Sequence, residues 1–175
     1  MRLAKSTVVT ASLLAGCVAP PTGRFQPPGD VDPVAARYIN PGTLTALPGF
    51  THAVRIGPTV YVSGEIALDS TGRLVGPGDL RAQATQAFAN LATVLRIAGA
   101  TPADVARLTV YVVHYSPRDL DIIRAAAPDF FPQHNPPAGI VVGVQALPLD
   151  SLLIAVDATA VVRALFHPRN GPSLR

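Results

Sequence analysis

The stretch NPPAGIVVGVQALPLDSLLIAVDATA, residues 135–160, decides the fold of this 175-residue chain. Two apolar runs, Gly139–Ala146 and Leu152–Val162, are separated here by a short turn, and their length and β-branched residues predict strands. The first run is almost wholly apolar, which predicts a strand covered on both faces. The second contains one acid, Asp157, which lies either on a solvated face or in a functional site, because an unpaired buried carboxylate is strongly disfavoured.

The residues before this stretch alternate between strand and helix patterns. Thr59–Ile66 and Leu108–His114 are rich in β-branched residues, as strands are. Leu80–Ala98 is the clearest helix, because its apolar residues recur at spacings of three and four. Asp79 is placed to cap the start of this helix, and Gly99 to end it.

Two further segments complete the pattern. Ala53–Ile56 is a short strand before a Gly-Pro turn, and Ser116-Pro117 opens a second helix that runs to Phe131, with Pro128 shortening it. The order β-β-α-β-α-β-β predicts an α+β fold with a mixed sheet and both helices on one face. The other face also has many apolar residues, and a homo-oligomer is the economical way to bury them.

Residues 1–17, MRLAKSTVVTASLLAGC, predict an export signal with a basic start, a short apolar run and a small-residue end. Cys17, the only cysteine, ends a Leu-Ala-Gly-Cys sequence that resembles the bacterial lipobox, in which this cysteine is acylated. The alternative is a plain signal peptide or a misassigned start codon. Residues 18–48 are then a Pro-rich tether, residues 49–163 the domain and residues 164–175 a tail. No Asp follows Cys17, so we expect an exported protein on the periplasmic side of the outer membrane, held by its lipid anchor only.

The charge and the residue types exclude several kinds of chemistry. The formal net charge of the full sequence is +3, and removal of Arg2 and Lys5 with the signal leaves 12 basic and 11 acidic residues. The sequence has no basic patch with interleaved aromatic residues, so it does not predict nucleic-acid binding. Lys5 is the only lysine and Cys17 the only cysteine, which excludes a Schiff-base lysine and a cysteine nucleophile in the domain. The four histidines have no metal-ligand spacing. We therefore expect no zinc site.

Several spaced motifs resemble the RidA (YjgF) family across residues 47–162. They are Val60-Tyr61-Val62-Ser63-Gly64-Glu65, Gln83 with Asn90-Leu91, Ala98-Gly99-Ala100 with Asp104-Val105, and Pro137-Ala138 followed by Val144 and Leu147-Pro148. The resemblance implies a chorismate-mutase-like fold, a homotrimer and a small-molecule pocket at each subunit interface. It also implies hydrolysis of enamines and imines, such as 2-aminoacrylate, to keto acids and ammonia without metal or cofactor.

The resemblance also implies roles for residues near the end of the chain. In active members, an arginine after Pro-Ala pairs with the substrate carboxylate, and an acid on the last strand activates the attacking water. Here Gly139 occupies the arginine position, and Asp157 is expected to be the catalytic acid. Because glycine has no side chain to bind a carboxylate, we expect the usual substrates to bind poorly. Arg124, at a position often held by Asn, either enters the pocket instead or is a solvent-exposed helix arginine.

The other ligand-binding candidates lie mostly in the first third of the domain. Phe50 stands where the family has a tyrosine, with Thr51 beside it, and Glu65 where the family often has glutamine. Glu65 is either a pocket acid or an ordinary strand residue near a turn. The predicted ligand-binding set is completed by Ser63, Gly64 and Ile140.

Two functions remain open from the sequence. The first is an imine or enamine hydrolase with altered substrates, in which Asp157 activates water and either Arg124 or the backbone of Gly139 holds the substrate. The second is a non-catalytic trimer at the membrane surface that binds a small, uncharged ligand or acts as a scaffold. The missing arginine favours the second function and Asp157 favours the first, so enzyme activity stays undecided. A ribonuclease activity, sometimes attributed to this family, is disfavoured by the near-neutral charge.

Overall fold

The computed structural model describes residues 35–162, which form one mixed sheet and two helices. In chain order the elements are β1 (Arg37–Ile39), β2 (Ala53–Ile56), β3 (Thr59–Ile66), α1 (Leu80–Ala98), β4 (Val105–Val113), α2 (Asp119–Ala126), β5 (Ala138–Val144) and β6 (Ile154–Val161). Short 3-10 turns lie at Pro102–Asp104 and Pro128–Phe130. The predicted α+β fold is confirmed.

The six strands are arranged in the order β1-β2-β3-β6-β4-β5. Neighbouring strands are antiparallel except β4 and β5, which are parallel and are joined by the crossover that contains α2. The two strands of the stretch 135–160 are therefore not neighbours, because β4 lies between them. β6 is central and β5 forms one edge of the sheet.

Helix α1 has the bounds that its apolar spacing predicts. The Asp79 side chain accepts a hydrogen bond from the backbone N–H of Ala82, and Gly99 ends the helix in a left-handed conformation at φ +84°. Leu91 and Leu95 are fully buried in the main core between the helices and the sheet. Burial of this face holds α1 against the central strands.

The central strand β6 serves two different surfaces of the sheet. Val156 and Ala158 point into the main core under the helices, whereas Ala155 belongs to a smaller apolar cluster with Ile66 and Leu152. Since side chains alternate along a strand, Asp157 shares the face of Ala155. The acid thus lies on the side of β6 that α1 does not cover.

Two boundary predictions need correction. Residues 37–39 pair with β2 as an edge strand, so the predicted tether of residues 18–48 extends too far into the domain. Three residues in a Pro-rich segment give no periodicity, and only the pairing with β2 defines this strand. The helix predicted to reach Phe131 ends at Ala126, because Pro128 opens a separate 3-10 turn.

The prediction that β5 is covered on both faces is wrong for the single chain. Within residues 35–162, β5 pairs only with β4, and Ile140 is 56% exposed. An apolar run cannot distinguish burial inside one chain from burial against another copy.

The predictions for both chain ends fall outside the described part. The export signal, the lipid anchor at Cys17 and the tail of residues 164–175 remain predictions. No helix within residues 35–162 is long and apolar enough to cross a membrane.

Candidate functional site

A cavity of about 300 Å³ opens beside β3, between the segment that leads into β2 and strand β6. Five of the predicted ligand-binding residues line it: Phe50, Thr51, Ser63, Gly64 and Glu65. Much of the remaining wall is apolar and includes Leu47, Ile66, Leu68 and Ala155. We call this the Glu65 cavity.

A bulge in β3 places the acid of this cavity. Val62 pairs with Ala158 and Glu65 with Val156, so β3 has one residue more than β6 between these two pairs. Bulges of this kind bend a strand and redirect its side chains, and they occur often beside active sites. Here the bulge turns Glu65 inward, where it is only 2% exposed. Glu65 is therefore a pocket acid and not an ordinary strand residue near a turn.

The carboxylate of Glu65 is paired with a histidine that the sequence analysis did not select. Nδ1 of His52 lies 2.9 Å from Oε1 and 3.1 Å from Oε2 of Glu65. The pairing of β2 with β3 brings them together, because the N–H of Ser63 donates to the carbonyl of His52 at 2.8 Å. Burial raises the pKa of Glu65 above its ordinary value, and the hydrogen bond from His52 lowers it in part.

Other polar groups around the cavity are held by the scaffold. Asn90 Nδ2 donates to the carbonyls of Ile66 (2.8 Å) and Leu68 (3.0 Å), and Thr51 Oγ1 donates to Oδ1 of Asn40 (2.8 Å). Ser63 Oγ has no hydrogen-bond partner among residues 35–162. Polar groups with spare bonding capacity toward a ligand therefore include the hydroxyls of Ser63 and Thr45 and the His52–Glu65 pair.

Asp157, the predicted catalytic acid, does not line the Glu65 cavity in the single chain. Its Oδ2 accepts a hydrogen bond of 2.9 Å from the hydroxyl of Tyr111, and this bond is the main cause that raises the pKa of Tyr111. Ala155, two residues earlier on the same face, borders the cavity instead. Side-chain alternation places both Ala155 and Asp157 on this face of β6, and the pairing register of β6 decides that Ala155 borders the cavity.

Three more predicted residues line a second cavity of about 300 Å³, here called the Arg124 cavity: Arg124, Gly139 and Ile140. Gly139 pairs with Leu108, whose side chain belongs to the main core under the helices. Arg124 is exposed, and its guanidinium has no hydrogen-bond partner within residues 35–162. Within one chain Arg124 therefore lies in the same cavity as Gly139 and not in the Glu65 cavity, and its entry into a pocket at a subunit interface stays a prediction.

The part of the chain that the structure describes contains no group of three or more His, Cys, Asp or Glu side chains placed to hold a metal ion. The role of His52 was not predicted because spacing along the chain tests a histidine only as a metal ligand and not as a partner of a distant acid. The available signal was the position of His52 just before one predicted strand and of Glu65, the chain's only glutamate, near the end of the next strand after the Gly-Pro turn.

Comparison with known proteins places the chain in a family. The family model described as "Endoribonuclease L-PSP" matches residues 42–162. A protein of Dermatophagoides farinae named "2-iminobutanoate/2-iminopropanoate deaminase" is 32% identical over 130 residues, which cover 74% of this chain and 92% of the relative. The chain belongs to the RidA (YjgF) family. An Escherichia coli RidA-family protein of the same printed name is 32% identical over 121 residues, covering 67% of this chain and 91% of that protein.

Solved RidA-family structures agree with this assignment. A Yersinia pestis protein of the conserved Rid family, YyfB, described as of unknown function, is 47% identical, with a TM-score of 0.56 and coverage of 73% of this chain and 98% of that one. RidA from an Antarctic Psychrobacter is 26% identical, with a TM-score of 0.63 and coverage of 72% and 99%. The RidA fold thus spans nearly the whole of each of these proteins and the described part of this chain.

Proposed function

We propose that this RidA-family chain hydrolyses small imines or enamines without a carboxylate, and that a second copy of the chain completes its pocket. The observation that carries the proposal is the Glu65 cavity, which combines apolar walls with a buried acid and contains no arginine or lysine. Several relatives carry the printed name 2-iminobutanoate/2-iminopropanoate deaminase, which supports the reaction type. Gly139, at the position where the resemblance implies an arginine, supports a change of substrate.

The proposed reaction is addition of water followed by loss of ammonia. The water oxygen forms a bond to the imine carbon, and the electron pair of the C=N bond moves to nitrogen. A buried acid–base group then moves one proton from the added oxygen to nitrogen, which gives the carbinolamine. It moves the second proton in the same direction as the C–N bond breaks, so that the carbonyl forms and ammonia leaves. In this scheme Glu65 is the proton carrier, and the free hydroxyl of Ser63 is available to position the water.

The proposal that the substrate has no carboxylate is based on Gly139. The side chain that the resemblance implies for carboxylate binding is missing, and within one chain the Glu65 cavity contains no arginine. The proposal therefore requires that Arg124 of a neighbouring copy does not reach the substrate. Loss of a charge-assisted pair costs about 1.5–3 kcal/mol, or roughly ten- to a hundredfold in affinity. A substrate without a carboxylate does not incur this loss.

A multi-chain site is supported by how the predicted residues divide. Phe50, Thr51 and Glu65 line one cavity, Arg124 and Gly139 line the other, and the two groups do not meet within one chain. β5 presents apolar residues at an exposed sheet edge. We propose a homotrimer in which this edge meets the Glu65 cavity of a neighbouring copy, as the family resemblance implies.

Ile140→Asp is expected to dissociate the assembly to monomers, since a carboxylate would have to be buried in an apolar contact without a partner. The matched control is Ile97→Asp, at the end of α1, where the native side chain is 36% exposed. Light scattering coupled to size-exclusion chromatography gives the mass of each variant. Unchanged mass for Ile140→Asp would contradict a role of the β5 edge in assembly.

A non-catalytic ligand-binding trimer is the second candidate. The observation that favours it is the placement of Asp157, which is bonded to Tyr111 and lies outside the Glu65 cavity of its own chain. In that case the cavity would bind its ligand without turnover.

Ammonia release from a freshly generated neutral imine, 2-iminobutanamide, tests the catalytic proposal. The wild-type protein is expected to exceed the spontaneous rate, and Ala155→Leu, which fills the cavity wall, to lower kcat/KM by about a hundredfold through misplacement of the substrate. Ala89→Leu makes the same change at an exposed position of α1 and is the control. If the folded wild-type protein releases ammonia no faster than the background rate, the hydrolase proposal is contradicted and the non-catalytic ligand-binding trimer remains.

A further inference from the structure

The described part of the chain begins and ends at the same end of the sheet. β1 starts at Arg37, which pairs with Arg55 near the end of β2, and β6 ends at Val161, opposite the start of β3. The C-terminus of α1 lies at this end too, because Arg55 Nη1 donates to the carbonyl of Ala98. We call this the entry end, since the segment that follows Cys17 joins the domain here.

Three arginines lie at the entry end, around the last turn of α1. Arg37 Nη2 donates to the carbonyl of Ile97 at 3.1 Å, and Arg55 donates to that of Ala98. Arg96 is exposed and has no hydrogen-bond or ion-pair partner in the described part of the chain. The helix carbonyls hold the first two guanidinium groups in place, so an anionic surface would meet charges that are already positioned.

Each of these arginines is followed directly by an exposed apolar or aromatic residue. These residues are Tyr38, Ile56 and Ile97, with exposed fractions of 70%, 43% and 36%. Arginine next to aliphatic and tyrosine side chains is typical of protein surfaces that lie among the headgroups of a membrane. We call the three arginines and the three residues that follow them the entry-end patch.

The charges of the described part are divided unevenly between the two ends of the sheet. The opposite end has an excess of acids, with Asp69, Asp79, Asp119, Asp121 and Asp150 against Arg73, Arg81 and Arg118. At the entry end the arginines of the patch and Arg107 outnumber Asp104 and Asp129, which lie in the two 3-10 turns. The entry end therefore presents net positive charge.

We infer that the entry-end patch docks onto an anionic phospholipid surface, as a second contact beside the lipid anchor expected at Cys17. Residues 18–34 separate this cysteine from the described part, and a chain of that length spans at most about 60 Å, so an anchor alone leaves the orientation of the domain open. Arginines at the surface pair with lipid phosphates, and Ile56 and Ile97 enter the headgroup region. The domain then faces the membrane with its entry end.

The patch is separate from the surfaces proposed to meet in the trimer. None of its six residues lines the Glu65 cavity or belongs to β5. The inference therefore goes beyond the proposed function and does not depend on it.

The first test is co-sedimentation of the full-length, unacylated protein with vesicles of equal parts phosphatidylglycerol and phosphatidylethanolamine. The double variant Arg37→Gln/Arg96→Gln is expected to bind these vesicles about tenfold or more weakly than the wild type, since each arginine near an anionic membrane adds to the attraction. Arg73→Gln/Arg81→Gln removes the same charge at the opposite end and should bind as the wild type does. Every variant keeps residues 1–17, so any binding by the signal is the same in all of them.

Three results of this test would overturn the inference. Equal losses in the two double variants would show that net charge and not the patch is responsible. Equal binding of the wild type to phosphatidylcholine vesicles would exclude recognition of the anionic headgroup. Displacement by soluble glycerol phosphate would show a site for a single phosphate and not a membrane contact.

A second test reports which end of the domain meets the membrane. The chain has no tryptophan, so one introduced tryptophan is the only source of its fluorescence. Ile97→Trp is expected to show blue-shifted emission on the anionic vesicles, because the indole moves from water into the headgroup region. Leu149→Trp, at the opposite end where the native side chain is 40% exposed, is the control and should not shift. An equal shift in the control, or no shift for vesicle-bound Ile97→Trp, would overturn the inference.

Discussion

Gly139→Arg is expected to destabilise the domain and not to restore a carboxylate-binding site. A Cβ atom built on Gly139 would lie 2.5 Å from the carbonyl oxygen of Leu108, its partner in the parallel β4–β5 pairing. A backbone atom cannot move aside as a side chain does, so any side chain at 139 must push the two strands apart. The expected loss is about 1–3 kcal/mol of unfolding free energy, the usual range for overpacking.

Gly139→Ala separates the steric effect from the charge. It should lose nearly as much stability as Gly139→Arg, because the clash begins at Cβ. Gly143→Ala, on the same strand, is the control, since its Cβ would meet only the Cβ of Tyr115 at 3.2 Å. Urea denaturation of the three variants gives the comparison. An alanine at 139 that is tolerated as well as one at 143 would show that the glycine is not required by strand spacing.

Gln83→Leu is expected to cost about 3 kcal/mol, because one buried side chain satisfies three backbone groups at about 1 kcal/mol each. Gln83 is fully buried. Its Nε2 donates to the carbonyls of Gly76 (3.1 Å) and Ser151 (2.9 Å), and its Oε1 accepts from the N–H of Leu153 (2.8 Å). These bonds tie α1 to the segment that leads into β6 and so help to fix where Ala155 borders the Glu65 cavity.

Gln86→Leu is the matched control on the same helix. Gln86 is partly exposed and donates to Oδ1 of Asn90 (2.9 Å) and, at 3.4 Å, to the carbonyl of Leu68. Its replacement should cost less than half as much as that of Gln83 in equilibrium unfolding. Equal losses for the two variants would mean that helix propensity or burial, and not the three bonds, determines the effect.

Local patterns predicted the elements better than their partners. The bounds of α1 follow from apolar spacing, the Asp79 cap and Gly99, all of which are interactions within a few residues. The strand character of β5 was also correct, yet its place at the edge was not, because pairing partners are decided by long-range contacts. β1 has too few residues to give any local signal.

The site was predictable only in part for the same reason. Five residues that the family resemblance indicated do line the Glu65 cavity. The His52–Glu65 pair depends on the β2–β3 register and on the bulge at residues 63–64, neither of which leaves a pattern along the chain. Asp157 and Ala155 lie on one face of β6, and alternation alone cannot decide which of them borders a cavity.

The most direct test of the proposed function is the ratio of kcat/KM for two imines that differ in one group, 2-iminobutanamide and 2-iminobutanoate. Both are generated in the assay, and ammonia release is corrected for the spontaneous rate. We predict that the amide is preferred by about tenfold or more, because the carboxylate of 2-iminobutanoate would lie without a basic partner beside the buried Glu65, whereas the neutral amide brings no charge into the cavity. A preference for 2-iminobutanoate would contradict the account, because the carboxylate would then have a binding group that the Glu65 cavity does not contain.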